Sequence, residues 1–315
     1  MGRARGQNAI MALGFETAYG TPPASGYTKL PFVSCNLGAE QGLIESDLLG
    51  QGRSPADPTY DVVTNDGDIV VPLDRIALGY WLRLLFGAPS SLPTATAFQH
   101  LFTSGAAVLP SASIEIGMPD RPSYSTHYGV RAGTLQITMQ RSGLSSMTLG
   151  LIGKGETVPS LTSNVGTLAT FGSIDRFAQA SGSIMIDGAV VGEVTTAQVS
   201  YSNGLDKDET IRADGEINDV DAGMPSASVS LTTKFADLTL YNKATSKTPV
   251  SIKLNWGTGD SAFEITLARV FLPRPKRPIT GPGGIMAEFR GIGAGVDGVS
   301  PLFNVRLANT QASYA

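Results

Sequence analysis

The chain is short of cysteine, histidine and charge. Cys35 is the only cysteine in 315 residues, so no disulfide within the chain and no cysteine-rich metal site can form. His100 and His127 are the only histidines, and they form no ligand-spaced pair. Charged residues make up 16% of the sequence, against about 25% in an ordinary soluble protein. Apolar content is ordinary at 42%. Such a chain can build a core but has little charge with which to dress its outside, so part of the exterior is expected to lie against another subunit. The 23 basic and 27 acidic residues leave a net charge of −4. That speaks against a dedicated nucleic-acid binder, which needs a basic patch. Long apolar runs are also missing. The longest stretch, residues 76–88, contains Arg83 and is shorter than the ~20 residues that span a bilayer. A basic start (Arg3, Arg5) precedes a brief apolar stretch at 9–15 with no small-residue cleavage site after it. A soluble, cytoplasmically made chain without a signal peptide is therefore expected. The length suggests about two domains.

What is present is alternation of period two. Val250, Ile252, Leu254 and Trp256 share one face, against Ser251, Lys253 and Asn255. Val229, Leu231, Thr233 and Phe235 oppose Ser230, Thr232 and Lys234. Leu135, Ile137 and Met139 oppose Thr134, Gln136, Thr138 and Gln140. Ala197, Val199 and Tyr201 alternate with Gln198, Ser200 and Ser202. These are half-buried antiparallel strands. Asp66-Gly67, Ser142-Gly143, Asp187-Gly188, Asn203-Gly204 and Asp214-Gly215 read as turns between strands. Two short helices interrupt the pattern. Residues 74–86 form one, with Asp74 as N-cap, Gly87 as stop and apolar residues nearly all round. Residues 237–244 form the other, capped by Asp237, with Leu238, Leu240 and Tyr241 inward.

The order of elements repeats. In the first half a strand at 32–37, a strand from Gly42-Leu43, a polar acidic loop, a strand at 68–73 and a helix follow one another. In the second half the series is a strand at 195–201, a strand from Gly204-Leu205, an acidic loop, a strand at 226–235 and a helix. Further strands after each helix end in Gly150-Leu-Ile-Gly-Lys-Gly155 and Arg290-Gly-Ile-Gly-Ala-Gly295. The Gly-Leu pairs stand 162 residues apart and the terminal peptides 140, a drift that loop insertions produce. The expected organisation is a tandem duplication: residues 1–157, a Ser/Thr/Gly-rich linker at 158–172, and residues 173–315.

Chemistry leaves little trace. No His-Glu-x-x-His, EF-hand or Gly-x-Ser-x-Gly spacing occurs. Gly293, Gly295 and Gly298 match a dinucleotide-binding spacing but lie in a late β region with Pro301 close behind. His127 reads as a structural residue, and Cys35, alternating with Val33 and Leu37, as core or interface. Carboxylates are numerous, but nothing singles out a catalytic pair. No catalytic residue, cofactor or metal is expected.

The charges that are present are grouped. Residues 43–68 hold Glu45, Asp47, Asp57, Asp61, Asp66 and Asp68 against Arg53 alone. Residues 206–221 hold Asp206, Asp208, Glu209, Asp214, Glu216, Asp219 and Asp221 against Lys207 and Arg212. Thirteen of the 27 acids thus occupy matching places in the two halves; alone, such runs are solvated loops. A basic, proline-rich stretch contrasts with them: Arg269, Arg274, Lys276 and Arg277, with Pro273, Pro275 and Pro278 preventing a regular ladder.

Several stretches together resemble the tail tube proteins of long-tailed bacteriophages. They are Gly14-Phe-Glu-Thr-Ala-Tyr-Gly-Thr-Pro22, Leu30-Pro-Phe-Val-Ser34, Leu43-Ile-Glu-Ser-Asp-Leu-Leu-Gly-Gln-Gly-Arg53, Asn65-Asp-Gly-Asp-Ile69, Leu85-Phe-Gly-Ala88 and Leu272-Pro-Arg-Pro-Lys-Arg-Pro-Ile-Thr-Gly-Pro-Gly-Gly284. The resemblance implies a mainly β chain of two tandem β-sandwich or barrel domains, each with a short flanking helix and a long loop. It implies a virion location and no enzyme activity. Subunits of this kind form rings that stack into a hollow tube around the tape measure protein, meet tail terminator and distal tail proteins, and let double-stranded DNA pass. A duplicated chain would close a ring from three copies with pseudo-sixfold symmetry; a hexamer of whole chains is the alternative. On this reading Glu45, Asp47, Asp68, Asp208 and Glu209 face the lumen. Asp57, Asp61, Asp214, Glu216 and Asp219 touch the next ring, where Arg274, Lys276 and Arg277 oppose them. Two other classes stay open: a neck, sheath or head β protein, and an enzyme or carbohydrate-binding sandwich. The last needs clustered aromatics, and Trp81 and Trp256 offer few.

Overall fold

Alternating apolar residues become antiparallel strands whose one face is dry. In the computed structural model, which describes residues 2–50, 52–235, 238–279, 281–295 and 300–314, the chain is mainly β with two short helices. The first half contains β1 (Ile10–Phe15), β2 (Gly38–Ile44), β3 (Thr59–Pro72), α1 (Leu78–Phe86), β4 (Phe98–Thr103), β5 (Ala112–Gly117), β6 (Tyr124–Gln140) and β7 (Ser146–Gly153). The second contains β8 (Gly182–Ile186), β9 (Val194–Ser202), β10 (Ser226–Lys234), α2 (Thr239–Ser246), β11 (Val250–Thr258), β12 (Ser261–Phe271), β13 (Met286–Gly293) and β14 (Asn304–Asn309). On β11 the expected face, Val250, Ile252, Leu254 and Trp256, is fully buried, and each such side chain contributes about 1.5–3 kcal/mol. One apolar cluster runs through both halves, from Met11 and Ile69 to Phe289 and Phe303.

Pairing follows the same order twice, antiparallel throughout. In the first half it is β1–β5–β6–β7–β3–β2. In the second it is β8–β11–β12–β13–β10–β9. The halves meet where the far end of β6 pairs with β9, from Thr134↔Ser202 to Gln140↔Thr196. A continuous sheet β2–β3–β7–β6–β9–β10–β13 results. The last strand, β14, pairs with β12 and with β4 of the first half. Asn203 secures the junction from below. It is buried, its Nδ2 donates to the Leu85 and Ala132 carbonyls at 2.8 and 3.1 Å, and its Oδ1 accepts from Tyr201 Oη at 2.7 Å.

Several boundaries differ from the sequence reading. Asp66-Gly67 is no turn; it lies inside β3. The backbone of Leu37 passes so close to Gly67 that a Cβ would sit 2.5 Å from the Leu37 Cα, so glycine serves close approach here. The first acidic loop is therefore residues 45–58. Of residues 32–37 only Ser34 and Cys35 pair as strand, and Val33 is exposed rather than inward. The pair after Gly204-Leu205 is a two-residue strand, Asp206–Lys207, bonded to Val220–Asp221 away from the main sheet. Asp74 stands ahead of α1 instead of capping it: its Oδ1 accepts from the Ile76 and Ala77 amides of the preceding turn. Gly87 does end α1, with φ of 90° and its N–H donating to the Arg83 carbonyl. Asp187-Gly188 turns with both φ positive, 51° and 82°, as a type I′ hairpin requires. Asp237 and Gly298 lie outside the described residues. Leu238 is 49% exposed, and Ala244 is the buried residue of α2. Residues 158–178 lie against the first half: Val165 is buried with Ala12 and Tyr27, and Arg176 bridges to Asp74.

Candidate assembly surfaces

The continuous sheet turns one face to the core and the other outward. Alternation sorts the residues. Leu135, Ile137, Val199, Leu231 and Phe289 go inward, while Thr134, Gln136, Thr138, Gln198, Ser200, Ser228, Ser230 and Thr232 lie on the opposite face. The outer face is thus a carpet of hydroxyls and amides across β7, β6, β9 and β10. Its charges sit towards the ends: Asp68 on β3, and on β13 the pair Glu288–Arg290 at 2.8 Å. Sequence reasoning sorted the Ser, Thr and Gln positions to the polar face but gave them no role. The signal was the polar half of the same alternation, continued over neighbouring strands.

The candidate lumen acids lie on separate elements. Asp68 lies on the outer face, beside Thr134 and Gly150. Glu45 and Asp47 are exposed in the loop after β2, and Glu209 is exposed in the second acidic segment. Asp208 accepts from Asn218 Nδ2 at 2.8 Å.

The two acidic segments behave differently. The first belongs to a projecting arm made by β2, the start of β3 and the loop between them. Asp57 and Asp61 are exposed there, together with Leu43, Ile44, Leu48, Leu49, Tyr60 and Val62, each more than half exposed. So many large apolar side chains on one arm mark an interaction surface. The second segment folds back onto the first half. The Val63 N–H donates to the Gly215 carbonyl at 3.0 Å. Tyr128 Oη donates to Glu216 Oε1 at 2.5 Å, Arg131 pairs with Asp219 at 2.9 Å, and Lys207 pairs with Asp66 at 2.5 Å. Asp214 pairs with Arg212 inside the segment at 2.7 Å, and that guanidinium holds its carboxyl down at about 2. Glu216 and Asp219 therefore have their partners within the chain.

The basic stretch leaves the sheet after Phe271. Arg274, Lys276 and Arg277 are exposed. The Arg277 guanidinium lies 4.5 Å over the Tyr241 ring and 4.9 Å over Phe235, and that of Arg274 lies 5.9 Å over Tyr241. These cation–π contacts keep the stretch beside α2.

The remaining titratable groups are structural. His127 is buried on β6 with Nδ1 3.1 Å from Asn65 Oδ1, and burial pushes its pKa down. His100 bonds Ser91 Oγ and the Gln311 carbonyl. Burial raises the pKa of the half-buried Cys35. Among the described residues no group of His, Cys, Asp and Glu could hold a metal ion, and no helix is long and apolar enough to cross a membrane.

No curated protein matches the chain. Residues 6–293 match the family model described as phage tail tube protein, and the chain belongs to that family. It is a structural component of the phage tail tube, as its mainly β fold and open assembly surfaces suit.

Proposed function

From membership of the phage tail tube protein family, we propose that three copies of this chain close a ring with pseudo-sixfold symmetry. The rings stack into a hollow tube around the tape measure protein, and double-stranded DNA passes through it. The reading takes residues 1–157 and 173–315 as two copies of one domain, joined by 158–172.

The observation that carries it is the repeated register. A shift of 162 residues turns the pair Ala39↔Asn65 into Tyr201↔Ala227, and both pairs exist. The same shift on β3 and 140 on β7 turn Asp68↔Gly150 into Ser230↔Arg290, again a real pair. Two unrelated β domains have no reason to share both offsets. The β6–β9 junction supports ring formation, because it already joins two such units by strand pairing.

In the tube the Ser/Thr/Gln face lines the lumen. Such a wall offers DNA phosphates few cations, Arg290 being paired with Glu288, so few counterions are released and little holds the DNA in place. Asp68 adds repulsion. The arms, with Leu48, Leu49, Asp57 and Asp61, reach the adjacent ring. Cryo-electron microscopy of the assembled tube tests the reading. Three chains per ring are expected; six would overturn the trimeric ring, and absence of rings would overturn the assembly itself.

A further inference from the structure

The chain contains one seam between like units and lacks its partner at the two ends of the sheet. Within the chain, β9 lies along residues 134–140 of β6. The register shifts identify the counterparts of these two strands. The counterpart of β9, 162 residues earlier, is residues 32–40, which run into the start of β2 and pair with β3 alone among the labelled strands. The counterpart of residues 132–138, 140 residues later, is the stretch 272–278; the shift holds up to its border, where Ile152↔Arg131 becomes Ile292↔Phe271.

That stretch forms no strand in the free chain. On the β12 side, β13 is paired only at Ile292 and Gly293, so residues 286–291 have no ladder there among the described residues. Proline is the reason. Pro273 and Pro275 occupy alternate positions and lack N–H groups, so one edge of the stretch is stripped of donors whichever way it faces. Its path is nevertheless that of its counterpart: Arg274 and Arg277 lie against Tyr241 of α2, as β6 lies by α1, where Asn203 ties the Leu85 and Ala132 carbonyls together.

Carrying the seam register across sets specific residues opposite one another. Thr134↔Ser202 becomes Arg274 opposite Glu40 of a second copy, and Gln136↔Ser200 becomes Lys276 opposite its Gly38. A neutral pair inside the chain is replaced by opposite charges between copies. On the β2 side one backbone donor is already taken, since the Ala39 N–H is held by Glu156 Oε2 at 2.9 Å.

We propose that the β2 edge of a second copy docks along residues 272–278, with Glu40 facing Arg274, in a seam held more by charge and less by backbone ladder than β6–β9. The proposal rests on the ring reading above. The two edges are unlike, so the contact is heterologous and closes into a ring when the rotation fits. Proline at the waiting edge also keeps the free subunit from pairing indiscriminately. The seam between copies is therefore salt-sensitive, whereas the one within the chain is not.

Paired cysteines test it. In a Cys35→Ser background, Glu40→Cys and Arg274→Cys are combined and tubes are oxidised. Most chains are expected to run as covalent oligomers ending at the trimer, and each single-cysteine variant as monomer. Tubes that form normally but do not cross-link overturn the seam and leave the ring reading intact. Unmodified chain that forms no rings overturns the ring reading instead. Charge reversal provides a second arm. Glu40→Arg or Arg274→Glu alone is expected to lower assembly at least tenfold at physiological salt, and the double reversal to restore it. Single reversals that assemble like the unmodified chain overturn the proposal.

Discussion

Glu264 illustrates how single residues are fixed by neighbours far along the chain. It stands opposite Arg306 on the adjoining strand β14 and receives both guanidinium arms, at 2.6 and 3.0 Å. Lys253 adds a weaker contact at 3.4 Å. The Arg306 hydrogen bonds hold the Glu264 carboxyl below the ordinary glutamate range. A depressed carboxyl pKa contributes stability that is present above the unfolded value, about 4.3, and lost as pH falls through the folded one. Glu264→Gln is thus expected to destabilise the chain by about 1 kcal/mol at pH 7, the pair being partly open to solvent. Thermal melts of both proteins should converge as pH falls from 5 to 3. A gap that persists at pH 3 would assign the loss to shape and not charge. The pair was not legible in the sequence, because the partners lie 42 residues apart and only the β12–β14 register brings them together. Asp187-Gly188 was legible because its turn is made by its own two residues. Asp66-Gly67 carried the same local signal, but there tertiary contact with Leu37 decided the outcome.

At the scale of elements, alternation located the strands well and their ends poorly. β9, β10, β11 and the outer part of β6 have one face that is almost wholly apolar, Thr233 being a buried polar exception on β10, and burial of that face fixes them. β2 and the start of β3 bury almost nothing; they are strands because they pair with each other, which no composition rule reveals. The helices differ for the same reason. Seven of the nine residues of α1 are buried, with the Tyr314 ring so close to Gly79 that an added Cβ would lie 2.2 Å away. α2 buries only Ala244, and its last turn closes on Lys247 at φ of 57°, a conformation that costs an L-residue about 1–2 kcal/mol. Local opening should follow this contrast. Hydrogen exchange of the subunit is expected to be at least tenfold slower for amides of α1 than of α2. Equal protection would mean that packing is not what stabilises the first helix.

At the scale of the whole molecule, low charge has a distribution as well as an amount. The acids gather in two segments at matching places, one free on the arm and the other pressed onto the first half through Arg131, Tyr128 and Asp66. The sheet face between them is left to Ser, Thr and Gln. The sequence reading assigns the lumen to Glu45, Asp47, Asp68, Asp208 and Glu209 and ring-to-ring contact to Asp57, Asp61, Asp214, Glu216 and Asp219, but composition alone does not show that the second segment folds back onto the first half. On the proposed reading, it is chiefly the neutral wall that keeps DNA from sticking. Substituting Gln136→Lys, Gln198→Lys and Thr232→Lys, all on that face, would put a ring of cations in the lumen without touching the core. Tubes of this variant are expected to co-sediment double-stranded DNA at 50 mM salt and to release it as salt rises, since affinity falls steeply with ionic strength when lysines neutralise phosphates. Unmodified tubes should retain little DNA at either salt. If they retain as much as the lysine variant at low salt, neutrality of the sheet face is not what lets DNA slide, and the lumen must be sought on another surface of the chain.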